Sequence, residues 1–399
     1  MNGALILGGA HGSLAVVRSL GRKDIPVWAA VKDHPIAAFS RYTKKSVTWP
    51  GPNHPSAANF LLDLAQHEGL DGWVVFPGGD AEAQLLSRHH EQLSKVFRLI
   101  TPPWEVMRWA ADKRLTYERA EQIGIDYPRT YHAPDRGALA RLDIKFPVIL
   151  KPAQRLESNA LTADKAWRVN TRTELMERFA EASELMADDG VVLQEMIPGA
   201  GTAQWSYAAV WDENGPLASL VARRLRQYPI EFGYTSTFVQ SAVQERVEEA
   251  ACRFLRSIGY TGLVEIEFKH DARDDRYKIL DVNARTWAWI SLGRAAGVDF
   301  PYIMWRAAAG LPVSPKRGRA DAGWMHFSRD LPAAICEMRR SGISLRNYLR
   351  SFASPIEFAC FAADDPLPGL MDLPLLFRRL KTRGSASRIK PAAAVSPAP

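Results

Sequence analysis

Cysteine is scarce in this sequence, and long apolar runs are missing. Cys252, Cys336 and Cys360 are the three cysteines among 399 residues, and no CxxC pair of the kind that holds zinc or exchanges disulfides is present. We therefore expect three buried, reduced thiols and a reducing compartment. No apolar run approaches the roughly 20 residues needed to cross a bilayer, so the sequence predicts no transmembrane helix.

The first residues, MNGALILGGAHG, lack the basic segment and the long apolar stretch of a secretory signal peptide. We interpret them as a strand and expect a cytoplasmic protein. Hydrophobic residues make up 47% and charged residues 24%, which is the balance of a folded globular protein. A chain of 399 residues exceeds what one core usually serves, so two or three domains are expected.

The formal net charge of +7 favours polyanionic partners, and nucleotide phosphates would account for part of it. Neither a helix-turn-helix signal nor an aromatic-basic single-strand pattern occurs, so no nucleic-acid partner is expected. The basic segment LPLLFRRLKTRG has the pattern of an amphipathic helix at an interface, which leaves peripheral membrane contact open. The sequence also leaves open whether the protein forms an oligomer.

The first hundred residues alternate between strand and helix patterns. GALILG at 3–8 and GWVVFPGGD at 72–80 are apolar strands that end in glycines, and LAVVRSLGRKDI has helical spacing. The glycines lack the GxGxxG spacing of a dinucleotide site, so tight strand-to-helix turns explain them better. We predict an open α/β sheet over residues 1–104, with ligand-facing loops at the carboxyl ends of its strands.

The pattern changes near residue 105. PPWEVMRWAADKRLTYERAEQIGI predicts a helix that ends at Gly124, and short strands dominate from 146 to 312, with helices near 172–187 and 243–258. This arrangement is α+β. After residue 312 we expect a small C-terminal extension to residue 383 and a disordered Pro/Ala-rich tail at 384–399.

A predicted β-hairpin carries the strongest chemical signal. In LVEIEFKHDARDDRYKILDVNAR, Glu265 and Glu267 alternate on one strand, and Asp281, Asn283 and Arg285 alternate on the returning strand. Such a cluster is costly to desolvate unless ions neutralise it. Hard oxygen ligands suit Mg²⁺ on a nucleotide triphosphate, whereas the competing interpretation is a solvated outer sheet face.

Two further segments are ambiguous alone. Lys151 ends the apolar strand FPVILK and could point a charge at a phosphate, or simply lie in solvent. The segment VVLQEMIPG at 191–199 runs from a strand into a turn, where backbone groups could bind the edge of a flat ring.

Together and in this order, the segments resemble the ATP-grasp superfamily over about residues 105–312. The resemblance rests on a DK motif at Asp112-Lys113 within a helix, a KP strand at Lys151, a QExIPG hinge at 194–199, and the E-F strand paired with D-V-N-x-R. It implies a Rossmann-like N-terminal domain at 1–104 followed by a grasp domain at 105–312, with subdomains of about 106–190 and 191–312.

The resemblance also implies roles for individual residues. Lys113 and Lys151 would hold ATP phosphates, and Gln194, Glu195, Met196 and Ile197 would form the adenine-binding hinge. Glu267, Asp281 and Asn283 would bind Mg²⁺, with Mn²⁺ as an alternative ion. Arg285, together with Lys151, would stabilise the transferring phosphoryl group, so the implied activity is ATP-dependent ligation of a carboxylate to an amine through an acyl phosphate.

Within the superfamily, the chain resembles the branch of ATP-dependent carboligases that includes carboxylate-amine ligases of the D-aspartate ligase type. The similarity lies in FSRYTKKSV at 39–47, in LTADKAWRV, predicted as a strand at 161–169, and in LVARRLRQYPIEFGYTST at 220–237. Lys165 would meet the γ-phosphate or project into solvent. Arginines near Gly233 would clamp a substrate carboxylate or form an exposed basic strand, and they are Arg223, Arg224 and Arg226.

The chain departs from the superfamily pattern in two places. The segment between Lys151 and Lys165 has no glycine, unlike a glycine-rich phosphate flap, and no acidic residue for ribose follows the hinge, which leaves Thr202 or Gln204 as a guess. Two other functions stay open: a non-catalytic ATP-binding regulator, and a protein that acts at a membrane surface through its basic C-terminal segment.

Overall fold

The computed structural model describes residues 3–32, 34–131, 136–152, 160–161, 166–186, 190–199, 201–228, 235–339 and 342–375. These residues form three sheets with helices on their faces. The predicted disordered tail and most of LPLLFRRLKTRG lie outside the described residues. Within the described part of the chain, no helix combines the length and the apolar character required to cross a membrane.

The first sheet is parallel, with the order β3-β2-β1-β4-β5. Its central strands are buried on both faces, which explains why ALIL and VVFP are continuously apolar rather than alternating. The strands are β1 (Ala4–Leu7), β2 (Val27–Val31), β3 (Thr43–Thr48), β4 (Val74–Pro77) and β5 (Arg98–Leu99), and the helices are α1 (His11–Gly21), α2 (Ala57–Glu68), α3 (Asp80–Arg88) and α4 (His90–Leu93). This is the predicted α/β opening.

Two helices, α5 (Trp104–Ala111) and α6 (Lys113–Gln122), follow the first sheet. The single helix predicted over this stretch is wrong, because the chain leaves helical geometry at Asp112. There the backbone is extended, and the carboxylate accepts a hydrogen bond from the Arg114 N–H as an N-cap. The DK motif therefore marks a helix start, and it places Lys113 in the first turn of α6.

The second sheet is antiparallel, with the order β6-β9-β7-β8. Its core contains Val148, Leu150 and Leu193, which pack with Phe179 of the covering helix. The elements are β6 (Thr130–Tyr131), α7 (Arg136–Arg141), β7 (Val148–Pro152), β8 (Trp167–Val169), α8 (Arg172–Leu185) and β9 (Val191–Glu195). The strand predicted at 161–169 is too long, since residues 160–161 are helical and 162–165 lie outside the described residues.

The third sheet has eight strands, with the path β14-β13-β10-β11-β12-β16-β17 and β15 beside β11. Strands from the segment after residue 312 therefore join the sheet of the predicted grasp domain. The strands are β10 (Gln204–Asp212), β11 (Gly215–Tyr228), β12 (Thr235–Ala242), β13 (Gly262–Asp271), β14 (Arg276–Asn283), β15 (Lys316–Arg317), β16 (Gly323–Met325) and β17 (Ile356–Phe358).

Helices pack on both faces of the third sheet. In α9 (Glu245–Ser257), Val247, Ala251, Phe254 and Leu255 recur at helical spacing and are fully buried, so this face fixes the helix on the sheet. The other helices are α10 (Leu292–Ala295), α11 (Phe300–Ala308), α12 (Phe327–Arg339), α13 (Leu345–Arg350) and a helix that includes residues 367–375.

The first sheet docks on the end of the β13–β14 hairpin. Thr286, just after β14, donates to the Pro77 carbonyl through both its N–H, at 3.0 Å, and its hydroxyl, at 3.1 Å. Gly12 of α1 lies so close that a Cβ there would stand 2.8 Å from the Trp287 carbonyl oxygen. The carboxyl edge of the parallel sheet is therefore held against the charged end of the hairpin.

Candidate active site

The β13–β14 hairpin sets four polar side chains in two opposed pairs. Glu265 lies opposite Asn283 and Glu267 lies opposite Asp281, so all four share one face of the sheet. The Asn283 side-chain amide donates to Glu265 Oε2 at 2.5 Å. Because I-E-F and L-D-V-N alternate, the opposite face keeps Ile266 and Val282 buried.

The two glutamates repel each other electrostatically. Burial, reinforced by the neighbouring charge of Glu267, raises the pKa of Glu265 to about 8. Within the described residues, Glu265 Oε1 has no hydrogen-bond partner. A buried carboxylate cluster with an unsatisfied oxygen is a favourable place for a cation.

A lysine side chain reaches the same carboxylates. Lys113 Nζ lies 2.5 Å from Asp281 Oδ1, and the lysine side chain is largely buried. The start of α6 at Asp112 makes this contact possible, because it directs the first helical residue towards the hairpin. The structure thus brings Lys113, Asp281 and Glu267 to one place.

Lys151 approaches the hairpin through a tyrosine. At the end of β7, its ammonium group donates to the Tyr117 hydroxyl at 2.7 Å, and that hydroxyl donates to the Leu280 carbonyl at 2.9 Å. Burial raises the pKa of Tyr117, and the nearby Asp281 carboxylate adds to the increase. Two hydrogen bonds therefore connect Lys151 of the second sheet to β14 of the third, at the residue before Asp281.

The predicted hinge ends β9. Glu195 accepts from the Arg129 N–H at 2.9 Å, from Arg273 at 2.7 Å and from Lys278 at 3.1 Å. Burial opposes ionisation of this carboxyl, but these three donors prevail and lower its pKa. Its side chain is thus committed to protein contacts, and so is its backbone N–H, which donates to the Arg129 carbonyl at 2.9 Å.

Hydrogen bonds and burial hold the neighbouring hinge residues. Gln194 donates from its side chain to the Thr130 hydroxyl at 3.0 Å. The Met196 N–H donates to the Pro147 carbonyl at 3.1 Å, so this N–H is already used within the protein. Ile197 is buried next to it. The hinge is therefore fixed to β6 and β7 on one side and to the third sheet on the other.

Sequence reasoning missed Lys278, which connects the hinge to the hairpin. It lies opposite Lys269 and also binds Asp271 at 2.7 Å. Burial, and the charge of Arg224, lower the pKa of Lys269. Alternation in YKILDVN could not reveal this, because it pairs Ile279 rather than Lys278 with Asp281 and Asn283, and only the register shift between Glu267 and Phe268 brings the lysine to their face.

These groups follow one another along a single sheet face. From Lys269 to Glu265 the strand covers four residues, which is about 13 Å at the usual rise per residue. The hinge lies at the lysine end, the paired carboxylates lie in the middle, and Arg285 lies beyond them. The face is long and polar enough for an extended nucleotide triphosphate.

Arg285 closes this row, and its partner comes from the first sheet. Arg285 donates to Asp80 Oδ1 at 2.9 Å through Nε and to Asn283 Oδ1 at 2.8 Å through Nη2. Asp80 is the first residue of α3 and follows the glycines of GWVVFPGGD. The glycines predicted a ligand edge at that strand end, whereas no pattern in the sequence singled out Asp80.

The three arginines of β11 have separate environments. Arg224 shares the polar face and lies 3.7 Å from Glu267. Arg223 donates to the Thr202 carbonyl at 2.8 Å and lies over the Trp205 ring. Arg226 is 3% exposed, and its guanidinium binds both oxygens of Asp330, at 2.9 and 2.8 Å, so in this structure it is paired within the protein and lies neither on an exposed strand nor open to a substrate.

Other predicted positions are accounted for as follows. Gln204 donates to Glu267 Oε2 and so belongs to the carboxylate cluster rather than to a ribose site. Lys165 and Gly233 lie outside the described residues, so their predicted roles remain predictions.

Residues 208–325 match a family model described as ATP-grasp in the biosynthetic pathway with Ter operon. The D-aspartate ligase of Enterococcus faecium (strain Aus0004) is 26% identical over 238 residues, which is 56% of this chain and 56% of that protein. The chain thus matches only about half the length of this curated relative.

Solved structures agree with this result. Biotin carboxylase from Campylobacter jejuni, in a complex with β-γ-ATP, superposes with a TM-score of 0.62 at 16% identity, over 80% of this chain and 74% of that one. L-amino acid ligase from Bacillus licheniformis gives a TM-score of 0.56 at 16% identity, over 77% and 74%. The chain therefore has the ATP-grasp fold, with a Rossmann-like first sheet. Its resemblance to the D-aspartate ligase branch, first seen in the sequence, is confirmed.

Proposed function

We propose that the chain is an ATP-dependent carboxylate-amine ligase that forms an amide and releases ADP and phosphate. The observation that carries this proposal is that two lysines reach the strand with the paired carboxylates: Lys113 binds Asp281 directly, and Lys151 reaches the neighbouring Leu280 carbonyl through the Tyr117 hydroxyl. Phosphoryl transfer needs positioning and charge neutralisation more than covalent help, and this arrangement offers both. In this proposal, the ligand lies between subdomains of about 106–190 and 191–312.

The donor set fits a magnesium ion. Glu267 and Asp281 supply carboxylate oxygens from facing strands and Asn283 supplies an amide oxygen, all hard ligands. Lys113 already compensates Asp281 with a positive charge, and Glu265 adds a further buried carboxyl beside them. When bound, Mg²⁺ would neutralise the phosphate oxygens and orient the γ-phosphate.

The chain's own residues then have distinct tasks. The hinge backbone at Glu195 to Ile197, apart from the Glu195 and Met196 N–H groups that already donate within the protein, binds the adenine edge, and Lys151 binds phosphate oxygens. Arg285, held in orientation by Asp80, faces the charge that develops on the transferring phosphoryl group. Arg224 lies on the same face and would bind the substrate carboxylate.

The reaction proceeds in two steps. A carboxylate oxygen of the substrate attacks the γ-phosphorus, and the bond to the β–γ bridging oxygen breaks, which gives an acyl phosphate and ADP. The amine nitrogen then attacks the acyl carbon, the bond to the phosphate oxygen breaks, and phosphate leaves while the nitrogen loses a proton. Exclusion of water from the closed cleft protects the acyl phosphate from hydrolysis.

The named relatives suggest where a substrate search should begin. D-aspartate ligase and L-amino acid ligase both carry an amino acid in their names, so we propose an amino acid as one of the two substrates. For the second substrate, the chemistry gives only the class of compound, which is a carboxylate or an amine.

An ADP-release screen tests the proposal. Amino acids are paired with carboxylates and amines in the presence of Mg²⁺ and ATP, and ADP is measured for wild type, Asp281→Asn and the matched surface variant Asp63→Asn. We expect at least one pair to give substrate-dependent ADP in wild type and in Asp63→Asn, with a loss of about 100-fold in Asp281→Asn. Equal ADP release from all three proteins across a broad panel would remove the enzyme proposal.

A further inference from the structure

A second cluster of ligating groups lies away from the hairpin, where the C-terminal segment packs on the first sheet. It consists of His11, His326, Cys360 and Asp372, whose donor atoms all lie within 4.8 Å of one another, and all four residues are buried. None of them belongs to the nucleotide site proposed above. The function proposed for that site therefore leaves this cluster unexplained.

The spacing of the donor atoms matches a tetrahedron around one small ion. With zinc-ligand bonds of 2.0 to 2.3 Å, the edges of such a tetrahedron are about 3.3 to 3.8 Å long. His11 Nε2 lies 3.0 Å from His326 Nε2 and 3.5 Å from Asp372 Oδ1. His326 Nε2 lies 3.9 Å from Asp372 Oδ1 and 3.9 Å from Cys360 Sγ. The two other separations, from Cys360 Sγ to His11 and to Asp372, are within 4.8 Å, so metal binding would require shifts of at most about 1 Å.

A neighbouring serine orients His326 for this role. The Ser328 hydroxyl donates its only proton to Asp372 Oδ2 at 2.5 Å. In the 3.1 Å contact between Ser328 and His326, the imidazole Nδ1–H is therefore the donor and the serine oxygen is the acceptor. Since Nδ1 carries the proton, Nε2 presents a lone pair to the cluster centre, which is how an outer hydrogen bond fixes a metal-binding histidine.

Charge balance favours a divalent ion with affinity for sulfur. One thiolate, one carboxylate and two neutral imidazoles would cancel the charge of Zn²⁺, so the buried site would be neutral overall. Binding would release the thiol proton of Cys360 to solvent. Nitrogen and sulfur donors also disfavour Mg²⁺ and Ca²⁺, which prefer oxygen ligands.

Four distant segments meet at the cluster. His11 is the first residue of α1, His326 follows β16, Cys360 follows β17, and Asp372 lies in the helix that includes 367–375. Two turns after His11, Arg18 donates to the Cys360 carbonyl at 2.7 Å and to Asp365 Oδ2 at 2.9 Å. Helix α1 therefore binds the segment 360–365 at its first and last residues.

We propose that His11, His326, Cys360 and Asp372 form a structural zinc site that fastens the C-terminal segment to the first sheet. Four protein ligands leave no open coordination position, so the ion would stabilise the fold rather than take part in the reaction. Because its ligands lie outside the hairpin, this site and the nucleotide site can be tested separately.

Elemental analysis of the full-length protein is the direct test. The chain is produced with zinc in the medium and freed of loosely bound ions by dialysis. Four proteins are compared: wild type, Cys360→Ser, His326→Gln and the matched control Cys336→Ser, which changes a half-buried cysteine outside the cluster. We expect about one zinc per chain in wild type and Cys336→Ser, and a loss of at least fivefold in the two cluster variants.

Cobalt(II) substitution supplies an independent readout that does not depend on whether the two cluster variants fold. We expect wild type and Cys336→Ser to show sulfur-to-cobalt charge-transfer absorption and the tetrahedral cobalt spectrum. Wild-type protein without zinc and without this absorption would overturn the proposal, because the cluster would then be a hydrogen-bonded network only. Equal zinc content in all four proteins would overturn it as well, since the ion would then lie elsewhere. Neither readout involves ATP.

Discussion

Asp80 accepts a hydrogen bond from Arg285 at 2.9 Å, and the two residues lie in segments that follow strands of different sheets. Asp80 begins α3 at the carboxyl edge of the parallel sheet, whereas Arg285 follows the last strand of the hairpin. The first sheet thus contributes a charged group to the proposed active site and does more than support it. In α/β sheets this edge is where ligands usually bind.

Removing the charge of Asp80 tests this contribution. In Asp80→Asn, Arg285 keeps a hydrogen-bond acceptor but loses the opposite charge that orients it. We expect turnover, measured as ADP release, to fall about tenfold or more, as is typical when an outer partner of a reacting group is changed. The Tm should change little, and Asp63→Asn is the matched control. A wild-type rate in Asp80→Asn would show that Arg285 does not depend on this contact.

Lys151 should be more sensitive than other lysines of the same subdomain. Lys151→Met removes the buried charge that we assign to ATP phosphates, and we expect ADP release to fall about 100-fold. Lys145→Met, at an exposed position before β7, serves as the control. Tyr117→Phe should have an intermediate effect, because it removes only the hydroxyl that connects Lys151 to Leu280. If both lysine variants lost activity equally, the specific role of Lys151 would be excluded.

The buried pair of Arg226 and Asp330 should contribute to folding rather than to substrate binding. Arg226→Met leaves Asp330 as an uncompensated buried charge, and we expect the free energy of unfolding to drop by about 3 to 5 kcal/mol. Urea unfolding followed by circular dichroism measures this change. The double variant Arg226→Met/Asp330→Leu should recover most of the loss, since both charges are then absent. An equally large loss in the double variant would contradict the assignment.

Acid stability should report on Asp271, which joins the hinge to the hairpin. Its carboxylate accepts hydrogen bonds from Arg273 and from Lys278. The hydrogen bonds lower the pKa of Asp271 well below the ordinary value, although burial opposes this change. A depressed pKa means that this group stabilises the fold above the unfolded-state value of about 4, and that the gain is lost as the pH falls further.

We therefore expect Asp271→Asn to be less stable than wild type at pH 7 and to show a shallower fall in unfolding free energy between about pH 5 and pH 2. Denaturant unfolding at a series of pH values provides the measurement, with Asp63→Asn as the control. Parallel pH profiles for wild type and Asp271→Asn would show that the carboxylate is not the titrating group.

Local patterns predicted much of the fold, because the decisive signals lie close together in sequence. The apolar runs at 4–7 and 74–77 identified a parallel sheet, and the alternation of Glu265 and Glu267 with Asp281 and Asn283 identified the polar face of a hairpin. The break at Asp112 was missed because an N-capping aspartate inside a helix-like composition resembles an ordinary helical residue.

Contacts between distant residues could not be predicted in the same way. The pairing of Arg226 with Asp330 and that of Arg285 with Asp80 depend on how the sheets dock, for which no local periodicity exists. The cluster of His11, His326, Cys360 and Asp372 is the extreme case. Its ligands are spread over most of the chain, so no spacing motif predicts a zinc site, and the expectation of three buried thiols is wrong for Cys252 and Cys336, which are half-buried.

We propose that one magnesium-bound triphosphate is held jointly by the lysines and the acidic hairpin. Calorimetric titration with a non-hydrolysable ATP analogue, with and without Mg²⁺, tests it most directly in wild type, Asp281→Ala and Asp63→Asn. We expect wild type and Asp63→Asn to bind at least tenfold more tightly with Mg²⁺, and Asp281→Ala to lose that dependence. Identical, magnesium-independent binding by all three proteins would contradict the claim.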